Sequence, residues 1–249
     1  MAITISVALQ KGGVGKTTTA ETLSAIWGTL GKKVLLVDLD PQMNSTFISG
    51  VEPTKGITDV FTGEAKISEA IYKSAHYDIL ASDEYLSNLE QLDEVDLTLL
   101  KHALDQTREN YDLIVIDTPP ALGNLLKNSL IASDYVLITT DARPLSIKGL
   151  DALEPTIKAA ISASKHLRIL GIVLVKYHER TVLNRQIKDL LDERVQSMDT
   201  CLFNSKIRES ISVPEAQAMQ MSLIDYAPKS NPCIDYVDLG KEILNKIEG

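Results

Sequence analysis

Short apolar, β-branched runs alternate along this chain with longer stretches in which apolar positions return every three to four residues. The short runs fall at residues 4–8, 33–37, 77–81, 113–116, 135–139 and 168–175, and the longer ones at 17–30, 98–109, 122–132, 147–164, 182–195 and 234–247. A short run predicts a strand and a helical period predicts an amphipathic helix. Runs such as Leu113-Ile114-Val115-Ile116 are apolar at every position, as strands covered on both faces are. The alternation therefore predicts an α/β fold, a doubly wound and mostly parallel sheet with helices on both faces. Gly31 stands where the first helix needs a C-cap, and Pro155 is expected to bend or delimit the fourth. No repeat, low-complexity tract or linker interrupts the pattern, so residues 1–249 read as a single domain.

Composition adds limits rather than chemistry. A chain of 249 residues that is 44% hydrophobic can bury a sizeable core. There is no basic leader with an apolar centre, and the longest apolar stretch, residues 169–175, is far too short to span a bilayer, so a cytoplasmic protein is expected. Cys201 and Cys233 are widely separated, lack metal-ligand spacing and read as reduced thiols.

Chemistry enters directly after the first predicted strand, at Gln10-Lys11-Gly12-Gly13-Val14-Gly15-Lys16-Thr17-Thr18. A glycine-rich loop between a strand and a helix lets backbone N–H groups converge on phosphate oxygens. Lys16 can neutralise the β- and γ-phosphates, and the Thr17 hydroxyl can ligate Mg²⁺. A nucleoside triphosphate is the implied ligand. Gln10 occupies the place of the usual first glycine, and Lys11 stands beside it. A lysine before paired glycines resembles the deviant Walker A loop of the ATPases that include ParA, MinD, the nitrogenase iron protein and the arsenite-pump ATPase. In that group the extra lysine reaches the nucleotide of a second subunit.

Two carboxylate sites follow at the ends of predicted strands, where open α/β sheets bind ligands. In Val37-Asp38-Leu39-Asp40-Pro41-Gln42, Asp38 can touch the water shell of the metal, and Asp40, on the same side of an extended chain, can position an attacking water. Leu113-Ile114-Val115-Ile116-Asp117 is the Walker B arrangement, with Asp117 holding Mg²⁺ directly or through water.

Together, K-G-G-V-G-K-T-T-T, D-L-D-P-Q-x-N-S-T and I-D-T-P-P-A-L-G resemble the ParA-type DNA-partition ATPases. Lys206-Ile207-Arg208, Pro214-Glu215-Ala216-Gln217 and Tyr226-Ala227-Pro228-Lys229-Ser230 extend the likeness over almost the whole chain. The resemblance implies an ATP-dependent sandwich homodimer in which Lys11 contacts the partner's nucleotide and Gly12 lies at the subunit interface. It makes Lys16 the phosphate lysine, with Thr18 and the amides of Gly13, Val14 and Gly15 completing the cradle. Thr17, Asp38 and Asp117 serve the metal, and Asp40 is the hydrolytic carboxylate. It further implies weak, Mg²⁺-dependent hydrolysis of ATP, a ParB-like centromere-binding partner and non-specific DNA as a second one. The ATP-bound form is then expected on the nucleoid.

Net charge is −9, yet residues 83–96 carry six acids and no base, whereas residues 165–210 carry nine basic side chains against six acidic. The basic residues available for DNA are Lys176, Arg180, Arg185, Lys188, Arg194, Lys206 and Arg208. The loop begins by residue 11, which leaves no room before it for a helix-turn-helix domain, so operator-specific binding is not expected. Arg143 is open between DNA contact and pairing with a carboxylate, with pairing favoured. Leu202-Phe203-Asn204 departs from the family's pattern and leaves the adenine contact open.

Rival readings are a MinD-like membrane-cycling ATPase, an ATPase that positions a protein organelle, and a small-molecule synthetase on the same fold. The first needs a basic C-terminal helix, whereas residues 234–249 carry Asp235, Asp238, Glu242 and Glu248 against Lys241 and Lys246, so no membrane partner is expected. A metal-cluster reductase is disfavoured because neither cysteine lies in the switch-like segment that follows Asp117.

Overall fold

The computed structural model describes residues 2–92, 94–178 and 182–248. In chain order the elements are β1 (Ile3–Ala8), α1 (Lys16–Thr29), β2 (Val34–Asp38), α2 (Asn44–Ile48), α3 (Ile57–Thr62), β3 (Ile71–Lys73), β4 (Asp78–Leu80), α4 (Ser87–Glu90) and α5 (Leu99–Asp105). They continue with β5 (Leu113–Asp117), α6 (Asn124–Ala132), β6 (Tyr135–Asp141), α7 (Pro144–Ser164), β7 (Arg168–Val175), α8 (Val182–Ser197), α9 (Ser212–Ala218), α10 (Leu223–Tyr226) and α11 (Asn231–Glu248). The strands form one sheet in the order β3-β4-β2-β5-β1-β6-β7, parallel throughout except for β3.

Side chains alternate across this sheet as strand geometry requires. Leu36, Val115 and Val7 point toward α1 and α11, where Leu23, Ile26, Trp27, Tyr236 and Leu239 are buried with them. Their neighbours Leu35, Ile114 and Ile116 meet Leu100 and Leu104 of α5 and Leu125 of α6 on the other face. Further along the sheet, Val136, Ile138 and Ile172 pack against Leu126, Leu130, Leu150 and Leu153 of α6 and α7. The C-terminal helix is locked to the first one, because the Trp27 indole donates to the Gly240 carbonyl at 3.1 Å. The apolar side of α11 is thus core, and no helix among the described residues is long and apolar enough to cross a membrane.

Several expectations need correction. The structure has a seventh strand, β3, whose three half-exposed or exposed residues leave no periodic signal. Helix α7 starts at Pro144 rather than residue 147, and it runs through Pro155 without ending. Proline at the first position suits a helix start. Pro155 lies on the exposed side, as does Asp151 one turn earlier, so the carbonyl that loses its donor can turn to water. The stretch expected as one helix over 98–109 is α5 followed by a separate 3₁₀ turn at Arg108–Asn110.

Candidate functional site: a nucleotide cleft at the carboxyl ends of the central strands

The order of the sheet sets β1 between β5 and β6, and β2 beside β5, so three chain segments leave neighbouring strands at the same edge. Asp38 is the register partner of Asp117, and Asp117 is that of Val7. The loop after β1 and both carboxylate segments are thereby brought around one point. A cleft of about 870 Å³ opens there, lined by Gly12, Lys16, Thr17, Asp40 and Pro120 on one side and by the segment from Ile207 to Ala218 on the other. That volume suits a nucleotide-sized ligand.

Within the loop, Gly13 and Gly15 both take φ of +73°, a left-handed conformation that residues with a Cβ rarely adopt. This curl carries the chain from β1 into α1, whose N-terminal amides face the cleft. Lys16 is 6% exposed and donates to the carbonyl of Lys11 at 3.1 Å. Burial lowers its pKa, while the charges of Asp117 and Asp40 oppose that shift. Thr18 receives a bond from Gln217 of α9 at 2.9 Å, which ties α1 to the far wall of the cleft.

The three carboxylates differ in what they hold. Asp117 is fully buried and its Oδ2 accepts from the Ser45 hydroxyl at 2.9 Å, yet its Oδ1 is buried without a hydrogen-bond partner. Burial raises its pKa to about 6, against the lowering effect of hydrogen bonds from Thr17 and Ser45. An orphaned buried carboxylate oxygen beside a threonine hydroxyl fits a hard cation, which Mg²⁺ is when it takes one or two protein oxygens plus phosphates and water. Asp38 is also fully buried, but its oxygens are engaged: Oδ2 accepts from the Thr46 amide at 2.7 Å and the Thr46 hydroxyl at 2.8 Å, and Oδ1 from the Asp40 amide at 3.2 Å. Burial, then the charge of Asp117, pushes its pKa to about 7. Asp38 therefore positions the segment 40–46 that carries Asp40 and Ser45. Asp40 lines the cleft and folds the chain back on itself, its Oδ1 accepting from the Gln42 amide at 3.0 Å.

Lys11 points elsewhere. Its ammonium donates to Asp141 at 3.0 and 3.2 Å and to the Ser146 hydroxyl at 2.8 Å, at the junction of β6 and α7. Arg143 reaches the same carboxylate at 3.6 Å, which agrees with the expected carboxylate pairing.

Of the basic residues expected to meet DNA, four with described side chains contact other groups of the chain. Arg208 makes a fork-like pair with Asp235 of α11, with distances of 2.6 and 2.8 Å, and Arg194 pairs with Asp151 at 3.0 Å. Lys206 lies over the Tyr177 ring, 4.8 Å from its centroid. Lys176 turns into the nucleotide cleft and donates to the Gly13 carbonyl at 2.8 Å. Arg180 falls outside the described residues, and Arg185 and Lys188 lie on α8. Ser45, Thr46, Asp141, Ser146 and Gln217 are site residues that sequence reasoning did not single out. Ser45, Thr46 and Gln217 lie inside the quoted D-L-D-P-Q-x-N-S-T and P-E-A-Q strings, and Asp141 and Ser146 flank Arg143 in a segment that departs from the family's more apolar loop.

With this geometry in place, similarity to known proteins is decisive. Residues 2–169 match the family described as AAA domain. The sporulation initiation inhibitor protein Soj of Bacillus subtilis is 33% identical over 251 residues, covering 96% of this chain and 97% of its own. The chain belongs to the ParA/Soj family of partition ATPases. The chromosome-partitioning ATPase Soj of Thermus thermophilus is 32% identical, with 98% of this chain and 96% of that protein covered. Among solved structures, cobyrinic acid a,c-diamide synthase from Mycobacterium smegmatis with bound ADP and magnesium superposes with a TM-score of 0.86 at 28% identity, covering all of this chain and 96% of that one. The ParA/Soj family thus supplies both the nearly full-length sequence kinship and the P-loop ATPase fold seen here.

Proposed function

We propose that this chain is an ATP·Mg²⁺-dependent partition ATPase that dimerises on ATP, binds DNA without sequence preference, and is released when a ParB-like partner stimulates hydrolysis. Its cargo on this reading is a plasmid or chromosome. The observation that carries the reading is the division of labour between two lysines of one loop. Lys16 is buried at the head of α1 within the cleft, whereas Lys11 lies outside the cleft lining and is held by Asp141 and Ser146. A second ammonium on the phosphate loop, not used by its own cleft, suits a nucleotide presented by another subunit.

The residues then divide as follows. Lys16 and the loop amides bind the phosphates, while the Thr17 hydroxyl and Asp117 would hold Mg²⁺, which would supply neutralisation of phosphate charge. Asp40 orients the attacking water and Asp38 keeps the Asp40 segment in place. Because α11 spends its apolar face on α1, and because Asp235 and Glu242 on it bind Arg208 and the 204–205 backbone, this helix supports a body-packed role rather than a lipid-facing one. Light scattering with and without ATP, joined to DNA binding across a salt series, tests the proposal. ATP-dependent doubling of mass and salt-sensitive binding to random duplex are expected. A monomer in saturating ATP would overturn it.

The likeness to a diamide synthase supports a second reading, amide-forming chemistry on a small molecule. An ATPase that turns over without any small-molecule acceptor, and that DNA stimulates, separates the two.

A further inference from the structure

Lys176 was expected on the DNA surface, but its side chain is in the nucleotide cleft. It is the first residue beyond β7 and takes φ of +52°, a left-handed conformation uncommon for a residue with a Cβ. This turn sends its side chain back toward the phosphate loop, where Nζ donates to the Gly13 carbonyl at 2.8 Å. The tip of β7 touches the loop at a second point, since a Cβ on Gly15 would meet the Val175 side chain at 3.3 Å. The next residue, Tyr177, is pinned in turn by its N–H, which donates to the Ile207 carbonyl at 2.9 Å and fixes the base of the Lys176 turn.

Peptide geometry gives this contact a consequence. In a planar trans peptide the carbonyl of one residue and the N–H of the next point in opposite directions. Lys176 holds the Gly13 carbonyl toward itself and so turns the Val14 N–H the other way. Lys16 does the same two peptides earlier, holding the Lys11 carbonyl at 3.1 Å and thereby setting the Gly12 N–H. A phosphate cradle works only if its amides face the anion and its carbonyls face away. Gly13 has no Cβ and sits at φ of +73°, so it resists a peptide flip less than any other residue would.

We propose that Lys176 is a positioning residue of the nucleotide site, which orients the Gly13–Val14 peptide so that the Val14 amide is presented to a nucleoside di- or triphosphate. The inference rests on the ATPase reading of the cleft and assigns to it a residue from the far end of the sheet. It also removes Lys176 from the basic residues available to DNA.

The test compares wild type, Lys176→Met and Lys176→Arg. Fluorescent ATP and ADP analogues give affinity, and hydrogen exchange of a peptide spanning residues 10–18 in the nucleotide-free protein reports loop order. Lys176→Met is expected to weaken both nucleotides about three- to tenfold, as loss of one charge-assisted bond does, and to speed exchange in that peptide. Lys176→Arg should restore affinity to within about twofold of wild type, because a guanidinium still donates. DNA binding by the ATP-saturated methionine variant should keep the wild-type salt dependence. Unchanged nucleotide affinity in Lys176→Met overturns the inference, as does a salt slope reduced by about one with affinity intact, the signature of a lost DNA phosphate contact. Failure of the wild type to bind ATP would instead overturn the ATPase reading.

Discussion

The ammonium of Lys11 and the carboxylate of Asp141 form the most enclosed ion pair of the loop region, 3.0 Å apart, with the Asp141 side chain only 2% exposed. Ser146 completes the arrangement by donating to the same carboxylate. For Lys11 to reach across to another subunit it must leave this carboxylate, and a buried charge left without its partner is costly. Arg143 stands 3.6 Å away with 62% of its side chain exposed, so it is free to swing in as the replacement. Asp141→Asn removes the hold on Lys11 and is expected to lower the ATP concentration for half-maximal dimerisation by about three- to tenfold. Arg143→Ala removes the replacement and should raise it. Light scattering over an ATP titration checks both, and equal midpoints in all three proteins would sink the idea.

Lys16→Ala should weaken ATP binding by at least about 100-fold. The side chain is buried beneath the phosphate loop and faces Asp117 and Asp40. Its removal takes away the buried cation that faces these two carboxylates and would meet the triphosphate, and Thr17 offers a metal ligand but no charge. Equilibrium titration with a fluorescent ATP analogue measures the loss. Affinity near that of wild type would contradict the placement of the phosphates in this loop.

Stability of the nucleotide-free protein should fall as pH rises through neutrality. Glu21 of α1 is 4% exposed, and burial raises its pKa from 4.5 to about 7. Its carboxylate accepts from Tyr77 at 3.2 Å and from Thr22 at 3.3 Å, and Asp225 is the nearby acid. Because the folded pKa lies above the unfolded one, the unfolded chain ionises first. The contribution is whole below about pH 4.5 and is lost as pH rises through about 7, amounting to at most about 3 kcal/mol. Asp38, raised to about 7, and Asp117, raised to about 6, act in the same direction. Urea midpoints between pH 5 and 8 should therefore decline in wild type and decline less in Glu21→Gln. Parallel pH profiles would show that Glu21 does not carry its share.

Legibility in the sequence followed the length and regularity of each element. β2 and β5 are unbroken apolar runs ending at an aspartate, and β1 is a β-branched run ending at the glycine-rich loop, so both the strands and the carboxylates at the tips of β2 and β5 could be read. β3 and α2 are three and five residues long, too short to show a period, and α2 nevertheless delivers Ser45 to Asp117 and Thr46 to Asp38. Partners far apart along the chain left no mark at all. Lys11 and Asp141 are 130 residues apart, and nothing local connects them. Two basic residues of the last third have partners that were invisible for the same reason: Asp235 pairs with Arg208 from 27 residues away, and the Gly13 carbonyl accepts from Lys176 from 163 residues away.

Asp40→Ala should leave ATP binding intact and slow hydrolysis by about 10²–10⁴-fold. The division among the carboxylates supplies the reason. Asp117 presents an unpartnered buried oxygen beside Thr17, which suits a metal, and Asp38 is fully engaged with Thr46 and the Asp40 amide. Asp40 alone of the three borders the open cleft, together with Lys16, Thr17 and Pro120, and is anchored in a tight turn by Ser82, which donates to its carbonyl at 2.9 Å. A carboxylate so placed can hold a water without holding the cation. Removing one negative charge from an anionic site should, if anything, ease binding of the triphosphate, so affinity and turnover are predicted to move apart. Single-turnover hydrolysis measured beside equilibrium binding separates them. Wild-type turnover in Asp40→Ala would remove Asp40 from the reaction, whereas loss of affinity equal to the loss of rate would assign it to ground-state binding instead.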